Sequence, residues 1–410
     1  MAHSRNDSLE SMASTLSTLT SCSSDASVEL YQEVLKPGID AVTNGDTPLA
    51  NLVSAAEGII NEIFAPDSRR TYKYTKDSEE ISVELDKIMN AMLACADECG
   101  GECGKRYVAS AIVTCSKEED AVGALAALGT TWLTHLLFIF KTSRGHGNQP
   151  NKKPSGFATP TVDKTAIHLL EGVGNRKKSF HDDVMIRDGY TCVITGYQDS
   201  SHPNPVEDTA RVRLVAAHIL RRAIGEFDED HNSKSFKSAV TTFDILVNFT
   251  RLPVKTLEEL GDQLDNPSNG LILEKNAHEA FDSFNWCLRQ TEEEHVYDLK
   301  IFNYEGILRK PESNRISFKD HSDDFSPHST RKRNLPVDLP DPHLIAIHAA
   351  IAGILNMSGA GKFFDELLDK YTDEEGNVPA VRSWPELETL MVEGLVSASV
   401  TEALQSITAY

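Results

Sequence analysis

The chain has 410 residues, of which 40% are hydrophobic, and a formal net charge of −22 at pH 7. Its length suffices for two or three domains, and its composition is that of an ordinary globular protein. A chain this acidic is repelled by a polyanion as a whole, which excludes nucleic-acid binding through overall charge. Any such binding requires a local basic patch.

The seven cysteines are scattered along the chain and are odd in number, which does not indicate a disulfide scaffold. The first residues are polar and lack the apolar core of a secretory signal. We therefore expect an intracellular protein of the cytoplasm or nucleus. Cys95, Cys99 and Cys103 recur every four residues, so a thiolate metal site is one interpretation. The favoured interpretation is that the three cysteines are small, half-buried residues at a helix end, because Gly100 and Gly101 interrupt the helix.

The N-terminal part of the chain divides into two segments. Residues 1–27 are rich in serine and threonine, which predicts a disordered N-terminus. Apolar residues at helical spacing predict a helical domain over 28–142. Residues 121–140 are almost wholly apolar and nearly long enough to span a bilayer. Their glycines, threonines and His135 favour a buried core helix, with a membrane span as the unlikelier alternative.

Two polar stretches separate the remaining parts. Residues 143–175 begin with a Gly/Pro-rich run and predict a linker. Residues 319–341 predict a second polar linker, and their basic triplet at 331–333 is either a nuclear signal or a solvated run. Between the linkers lies a central domain, 176–318, and after them a C-terminal helical segment, 342–410.

The central domain carries a strand, a second strand and a helix. Apolar residues alternate with arginines before His218, which predicts a half-buried strand ending there. Residues 270–273 predict the returning strand. In the helix that follows, His278 and Asp282 are four residues apart and therefore lie on the same face, where they could hold one divalent metal. A longer amphipathic run between the strands, 236–247, predicts an inserted helix.

The order His218, Asn269, His278, with nine residues between the last two, resembles the HNH (ββα-metal) endonucleases. It is most similar to a group of fungal proteins with an HNH domain between helical flanks. The resemblance implies an α+β fold with a ββα-metal core and hydrolysis of nucleic-acid phosphodiesters. It implies that His218 is the general base, that Asn269 orients it, and that His278 ligates the metal. Asp282 takes the place of a second metal-binding histidine.

Phosphodiester hydrolysis needs an activated water, charge stabilisation and help for the leaving oxygen. A histidine that titrates near neutrality supplies the first, and one divalent metal supplies the other two. Two protein ligands leave a metal with several waters, which Mg²⁺ tolerates. We therefore expect Mg²⁺, with Mn²⁺, Zn²⁺ or Ni²⁺ as alternatives. We expect no structural zinc, because Cys192 is the single cysteine kept from the two pairs that bind zinc in many HNH domains.

Two features bear on substrate binding. Arg221 and Arg222 follow the predicted base, and this position predicts that they contact phosphate. The alternative is that both are solvated arginines. Basic residues, among them Arg187, cluster near the core. Acidic residues offset much of their charge. The expected partner is nucleic acid, with DNA preferred over RNA.

Each predicted site residue also has an ordinary structural interpretation. His218 could be a satisfied core histidine, Asn269 a turn residue before Gly270, and Asp282 a helix-surface carboxylate. Ala217 stands where many HNH proteins place a further metal ligand. This residue and the acidic charge support an alternative function, an inactive HNH-like scaffold that binds a protein partner through its helical flanks.

Overall fold

The structure is a computed structural model that describes ten stretches of the chain. These are 24–76, 79–141, 178–221, 224, 233–253, 264–304, 309–325, 336–371, 381 and 383–391. Of the predicted segments, the linker 143–175, the basic triplet 331–333, and Arg222 lie outside the described residues.

The described chain contains both helices and small separate sheets, compatible with the predicted α+β class. The helices are α1 (Ser24–Glu29), α2 (Lys36–Thr43), α3 (Leu49–Gly58), α4 (Leu85–Cys115), α5 (Ala121–Thr131), α6 (Phe138–Lys141), α7 (Lys178–Arg187), α8 (Lys234–Thr250), α9 (Lys275–Asp282), α10 (Pro342–Ser358), α11 (Ala360–Asp369) and α12 (384–391). The strands are β1 (Thr71–Lys76), β2 (Glu79–Glu84), β3 (Gln198–Asp199), β4 (Arg211–Val212), β5 (Leu214–His218), β6 (Gly270–Glu274), β7 (Trp286–Gln290), β8 (Val296–Ile301) and β9 (Arg315–Ser317). Wider π-type turns cover Leu30–Leu35, Ile59–Phe64 and Trp132–Leu137, and short 3-10 turns cover Ser68–Arg70, Pro267–Asn269 and Ser322–Asp324.

The prediction of helix throughout 28–142 is wrong at β1 and β2, which form an antiparallel hairpin. Tyr72 and Tyr74 are buried while Lys73 and Thr75 are exposed, so burial in β1 alternates with a period of two. That alternation is a strand pattern, and the helical spacing begins only at Leu85. The N-terminal prediction of disorder is also too long, because helix α1 already includes residues 24–27.

Helix α4 bends where the sequence predicts a break. Gly101 has φ 55° and ψ −151°, a conformation that non-glycine residues rarely adopt. A Cβ at Gly100 or Gly104 would lie 2.0 or 2.2 Å from the carbonyl oxygen of Phe249. The missing side chains therefore let the end of α8 approach the backbone of α4.

The predicted inserted helix is confirmed as α8, and it packs against the N-terminal helices. The Tyr31 hydroxyl donates a hydrogen bond of 2.8 Å to the Asp244 carboxylate. His135 Nδ1 lies 2.7 Å from the Ser238 hydroxyl, and the Thr242 hydroxyl donates to the His135 carbonyl. The insertion between β5 and β6 therefore fastens the central part of the chain to its N-terminal helices.

The apolar segment lies inside the protein. Among the described helices, Ala121–Lys141 is long and apolar enough to cross a membrane, and 83% of its most apolar window is buried by the chain's own residues. The bent pair Pro342–Ser358 and Ala360–Asp369, which turns by 79°, passes the same test when taken as one span. Burial by the protein itself is what a core helix shows, and it favours the core-helix interpretation of 121–140.

One hydrophobic cluster joins the predicted domains. It includes Tyr31 and Trp132 from the N-terminal part, Phe180 and Phe281 from the central part, and Trp384 from the C-terminal part. The segments bounded in the sequence therefore share a core across the described residues.

A buried ion pair joins α7 to β6. Arg187 is wholly buried, and its guanidinium contacts the Asp188 carboxylate at 2.7 and 3.0 Å. The same guanidinium donates to the carbonyls of Pro267 and Gly270, each at 2.6 Å. Asp188 in turn accepts the Ile272 N–H at 2.9 Å. Arg187 therefore links α7 to β6 inside the protein. The expectation that it contributes to a basic surface near the core is wrong.

The described ends of the predicted linker 319–341 are packed in place. The Asp338 carbonyl accepts a bond of 3.1 Å from Arg187, and the Asp341 N–H donates to the Ser268 carbonyl at 2.9 Å. The Asp320 carboxylate accepts the Val337 N–H at 2.9 Å. This stretch therefore adds to the structure around β6.

Replacing Arg187 by methionine should lower the free energy of unfolding by about 3–5 kcal/mol, because the Asp188 charge would be left buried without its partner. Urea denaturation of the two proteins measures the difference. The matched control is Arg315→Met, which breaks the half-exposed Arg315–Asp298 pair at 3.1 Å and should cost about 1 kcal/mol or less. Equal losses in the two variants would contradict the structural role of Arg187.

Candidate functional site

His218 ends β5 and lies opposite Gly270, the first residue of β6, in an antiparallel pair. A Cβ at Gly270 would lie 2.7–2.8 Å from side-chain atoms of Val184 and Phe180, so α7 packs closely on this end of the pair. The ring of Phe180 stacks on the His218 imidazole, with centroids 4.4 Å apart and planes 5° apart. The predicted base is therefore held against the aromatic ring of α7.

A carboxylate lies beside His218. Asp265 Oδ1 is 3.1 Å from His218 Nε2, and the two side chains are 4% and 14% exposed. The sequence reasoning missed Asp265, since it is one of many acidic residues in a loop without a periodic pattern. Its position four residues before Asn269, just ahead of the strand facing His218, is the signal that could have drawn attention to it.

Asn269 is buried and ties together both ends of the insertion. Its Nδ2 donates to the carbonyls of Leu220 and Leu264, each at 3.0 Å. Its Oδ1 accepts the Leu220 N–H at 2.7 Å, and its carbonyl accepts the Ile219 N–H at 2.9 Å. Asn269 ends a 3-10 turn and Gly270 has φ −130°, so the alternative of an Asn-Gly turn with positive φ is wrong.

His278 and Asp282 lie together on α9, as their spacing predicts. His278 Nε2 is 3.4 Å from Asp282 Oδ2, and the side chains are 29% and 17% exposed. The Arg221 guanidinium donates to the Asp282 carbonyl, lies 3.8 Å from its Oδ1, and sits over the Phe284 ring at 5.5 Å. Arg221 therefore reaches the histidine–carboxylate pair.

Arg221 connects His218 to the His278–Asp282 pair. Three residues of extended chain span at most about 11 Å, so His218 lies within that reach of Arg221, which touches Asp282. The helix α9 begins directly after Glu274, which pairs with Leu214 at the end of the strands opposite to His218. The Glu274 side chain accepts the N–H groups of Asn276 and Ala277 and so caps the first turn of α9.

The ligand chemistry of the pair suits a divalent cation. Two ligands at right angles on an octahedral ion with bonds of about 2.1 Å lie about 3.0 Å apart, close to the observed 3.4 Å. Ala217 is fully buried opposite Leu271 and offers no donor atom. In the part of the chain that the structure describes, no three His, Cys, Asp or Glu residues converge as a metal site.

The candidate zinc ligands have other roles. Cys192 is buried, and its sulfur accepts the Thr195 N–H at 3.4 Å. Cys95 and Cys99 are buried in α4 while Cys103 is exposed. Burial raises the pKa of Cys95 to about 11, which keeps the thiol protonated at neutral pH. Burial of Cys95 and Cys99 favours the packing interpretation for these two residues, whereas Cys103 lies at the surface.

A buried histidine from the C-terminal flank supports α9. His348 of α10 stacks on Phe281 and Phe284, with centroids 3.8 and 4.7 Å apart, and its Nε2 lies 3.3 Å from the Phe281 carbonyl. Burial lowers the pKa of His348 to about 3, an effect that the charge of Arg221 increases. The helix that carries His278 therefore rests on a neutral imidazole.

Residues 192–289 match the family model described as HNH endonuclease. This range includes β5, the insertion, β6 and α9, and with them His218, Asn269, His278 and Asp282. A search of curated proteins and a search of solved structures each returned no match.

The match indicates a nuclease-type function and nucleic-acid binding in general for this part of the chain. It supports the predicted HNH resemblance, while the likeness to a fungal group stays a prediction. The matched range begins after α7 and ends in β7, so the helical flanks lie outside it.

Acid should weaken the native state through His348. Its pKa is lower in the folded protein than the ordinary value of 6.5, so stability is full above that value and is lost as the pH falls towards 3. We expect this contribution to change by about 1.4 kcal/mol per pH unit within that window. Urea denaturation at pH 7.0, 6.0 and 5.0 measures it against His348→Phe.

The phenylalanine keeps an aromatic ring between Phe281 and Phe284 but does not titrate. The free energy of unfolding of wild type minus that of the variant should therefore decrease as the pH falls. A difference that stays constant over this range would show that His348 is not buried in its neutral form.

Proposed function

We propose that this chain is an HNH-type endonuclease that hydrolyses phosphodiester bonds of nucleic acid with one divalent metal. The observation that carries the proposal is the link that Arg221 makes between the two groups. His218, which stacks on Phe180, lies three residues before Arg221, and the Arg221 guanidinium contacts Asp282 of the His278–Asp282 pair. The family match over 192–289 supports the same reaction class.

In this proposal His218 is the general base. It takes a proton from a water molecule, whose oxygen forms a bond to phosphorus while the bond to the leaving oxygen breaks. The leaving oxygen then takes a proton from solvent, so the atoms and charges balance. A general base of this kind typically contributes about 10²–10⁴-fold to the rate. Asn269 serves the same step indirectly, because its hydrogen bonds to Leu220 fix the backbone that follows His218.

His278 and Asp282 are proposed to hold the metal, which when bound would stabilise charge on the scissile phosphate and on the leaving oxygen. The carboxylate, with several retained waters, suits Mg²⁺ or Mn²⁺, and the imidazole suits Zn²⁺ or Ni²⁺. We propose no structural zinc, because Cys192 packs in the interior with its sulfur on the Thr195 N–H.

Arg221 and Arg222 are proposed to contact the substrate backbone, DNA in the first place. Arg221 lies at the histidine–carboxylate pair, which puts a positive charge where the phosphate would approach. A local charge of this kind is required, since the net charge of −22 repels a polyanion. The seven cysteines are odd in number and scattered along the sequence, which supports action in a reducing compartment such as the cytoplasm or nucleus.

A second candidate function is an inactive HNH-like scaffold for a protein partner. It is favoured by the alanine at position 217, which is buried and cannot coordinate a metal. It is also favoured by the Arg221 charge beside Asp282, because a resident cation opposes the binding of another. Measurements of cleavage and of metal binding separate the two functions.

Replacing His218 by alanine should reduce DNA cleavage about 100-fold or more, because the attacking water loses its base. Plasmid nicking with Mg²⁺ or Mn²⁺ measures the rate, with EDTA as the control for metal dependence. Circular dichroism checks that the variant is folded. A variant that nicks as fast as wild type would rule out His218 as the base.

Replacing His278 by alanine should weaken Mn²⁺ binding by about tenfold or more, because one of two protein ligands is removed. Isothermal titration calorimetry measures the affinity. The matched control is His321→Ala, which removes another histidine–carboxylate pair, His321 and Asp324 at 2.9 Å. Equal affinity in wild type and His278→Ala, or no binding by wild type, would favour the scaffold.

A further inference from the structure

The carboxylate beside His218 has no part in the proposal above. Asp265 is almost fully buried, and its Oδ1 lies 3.1 Å from His218 Nε2. We infer that Asp265 positions the proposed base, fixing which nitrogen of His218 carries the proton. This inference rests on the proposed function for the role of His218 in catalysis. The proton arrangement itself is a property of the folded protein without substrate.

The loop around Asp265 is held on both sides. The preceding residue, Leu264, gives its carbonyl to Asn269 Nδ2 at 3.0 Å. The following residue, Asn266, accepts the Ser268 N–H on its side chain at 2.9 Å and the Asn269 N–H on its carbonyl at 2.9 Å. Asn269 therefore fixes Asp265 as well as the backbone after His218, and the carboxylate has little freedom to leave the imidazole.

The chemistry of the contact decides the tautomer. A carboxylate only accepts hydrogen bonds, so His218 Nε2 carries the proton and donates it to Asp265. The lone pair of the neutral ring is then on Nδ1, and Nδ1 is the nitrogen that receives the proton of the attacking water. The imidazolium formed in that step lies beside a negative charge that stabilises it. In serine proteases a buried aspartate acts on its histidine in the same two ways.

Phe180 fixes the orientation of the ring. Its plane is parallel to the imidazole within 5°, at a centroid distance of 4.4 Å. A rotation of 180° about χ2 would return the imidazole to the same plane, but it would put Cε1 in the place of Nε2 and so lose the hydrogen bond to Asp265. The ring would also have to leave the stacked plane during the rotation, so Phe180 opposes it.

The variant that tests this inference is Asp265→Asn in the full-length chain. The amide is nearly the same size, but it has no charge and presents either a donor or an acceptor to Nε2. We expect kcat for plasmid nicking to fall about 100-fold or more, as when the orienting aspartate of a catalytic triad is replaced. KM should change little, because Asp265 is buried and does not contact substrate in this proposal. Equal kcat in variant and wild type would overturn the inference.

A second measurement does not depend on activity. Two-bond ¹H–¹⁵N correlation spectra of protein labelled with ¹⁵N-histidine report the tautomer of each imidazole, and His218→Ala identifies the His218 signal. Wild type should show His218 protonated at Nε2 at pH 8, and Asp265→Asn should lose this preference. Wild-type His218 protonated at Nδ1, or an unchanged tautomer in the variant, would overturn the inference.

The matched control is Asn266→Ala, which removes the side-chain cap of the same turn and leaves the carboxylate of Asp265 in place. It should keep both the His218 tautomer and kcat. A loss of both in this control would show that loop order, and not the Asp265 carboxylate, sets the ring. If wild type cuts no nucleic acid, the proposed function fails while the tautomer still decides the role of Asp265.

Discussion

The site depends on the buried pair of Arg187 and Asp188. A charged pair is costly to bury unless nearly all its donors and acceptors are satisfied, and here they are used on backbone groups. The Arg187 guanidinium reaches the carbonyls of Pro267 and Gly270, and the Asp188 carboxylate accepts the Ile272 N–H. One pair at the end of α7 thus fixes the turn that carries Asn269 and the strand that faces His218.

A second tie acts where the insertion begins and ends. The Asn269 carboxamide donates to the carbonyls of Leu220 and Leu264, so one buried side chain holds both ends of the insertion between β5 and β6. The helix within the insertion, α8, is anchored on the N-terminal helices, and His348 of α10 supports α9 from the other flank. The flanks therefore act first as structural supports for the candidate site. A role in binding a partner would have to use their remaining surface.

Local sequence patterns predicted an element correctly where contacts between residues close in sequence decide its secondary structure. Alternation before His218 predicted β5, and the i, i+4 spacing placed His278 and Asp282 on one face of α9. The hairpin at β1 and β2 was missed, although Tyr72 and Tyr74 alternate with polar residues, because helical patterns on both sides suggested a wholly helical domain. Its strands are stabilised by pairing and by burial against the C-terminal helices, and neither is visible in a short window.

The sequence by itself determined the unit of two strands and a helix and the residues proposed for the chemistry, because strand and helix periodicity and the order of His218, Asn269 and His278 are local properties. Only the tertiary structure decided that Asp265 meets His218 and that Arg187 is internal. It also decided that Arg221 reaches Asp282. The two contacts join residues 47 and 61 positions apart along the chain, and the position of Arg187 depends on burial. Folding alone brings such residues together, so no pattern along the chain contains them.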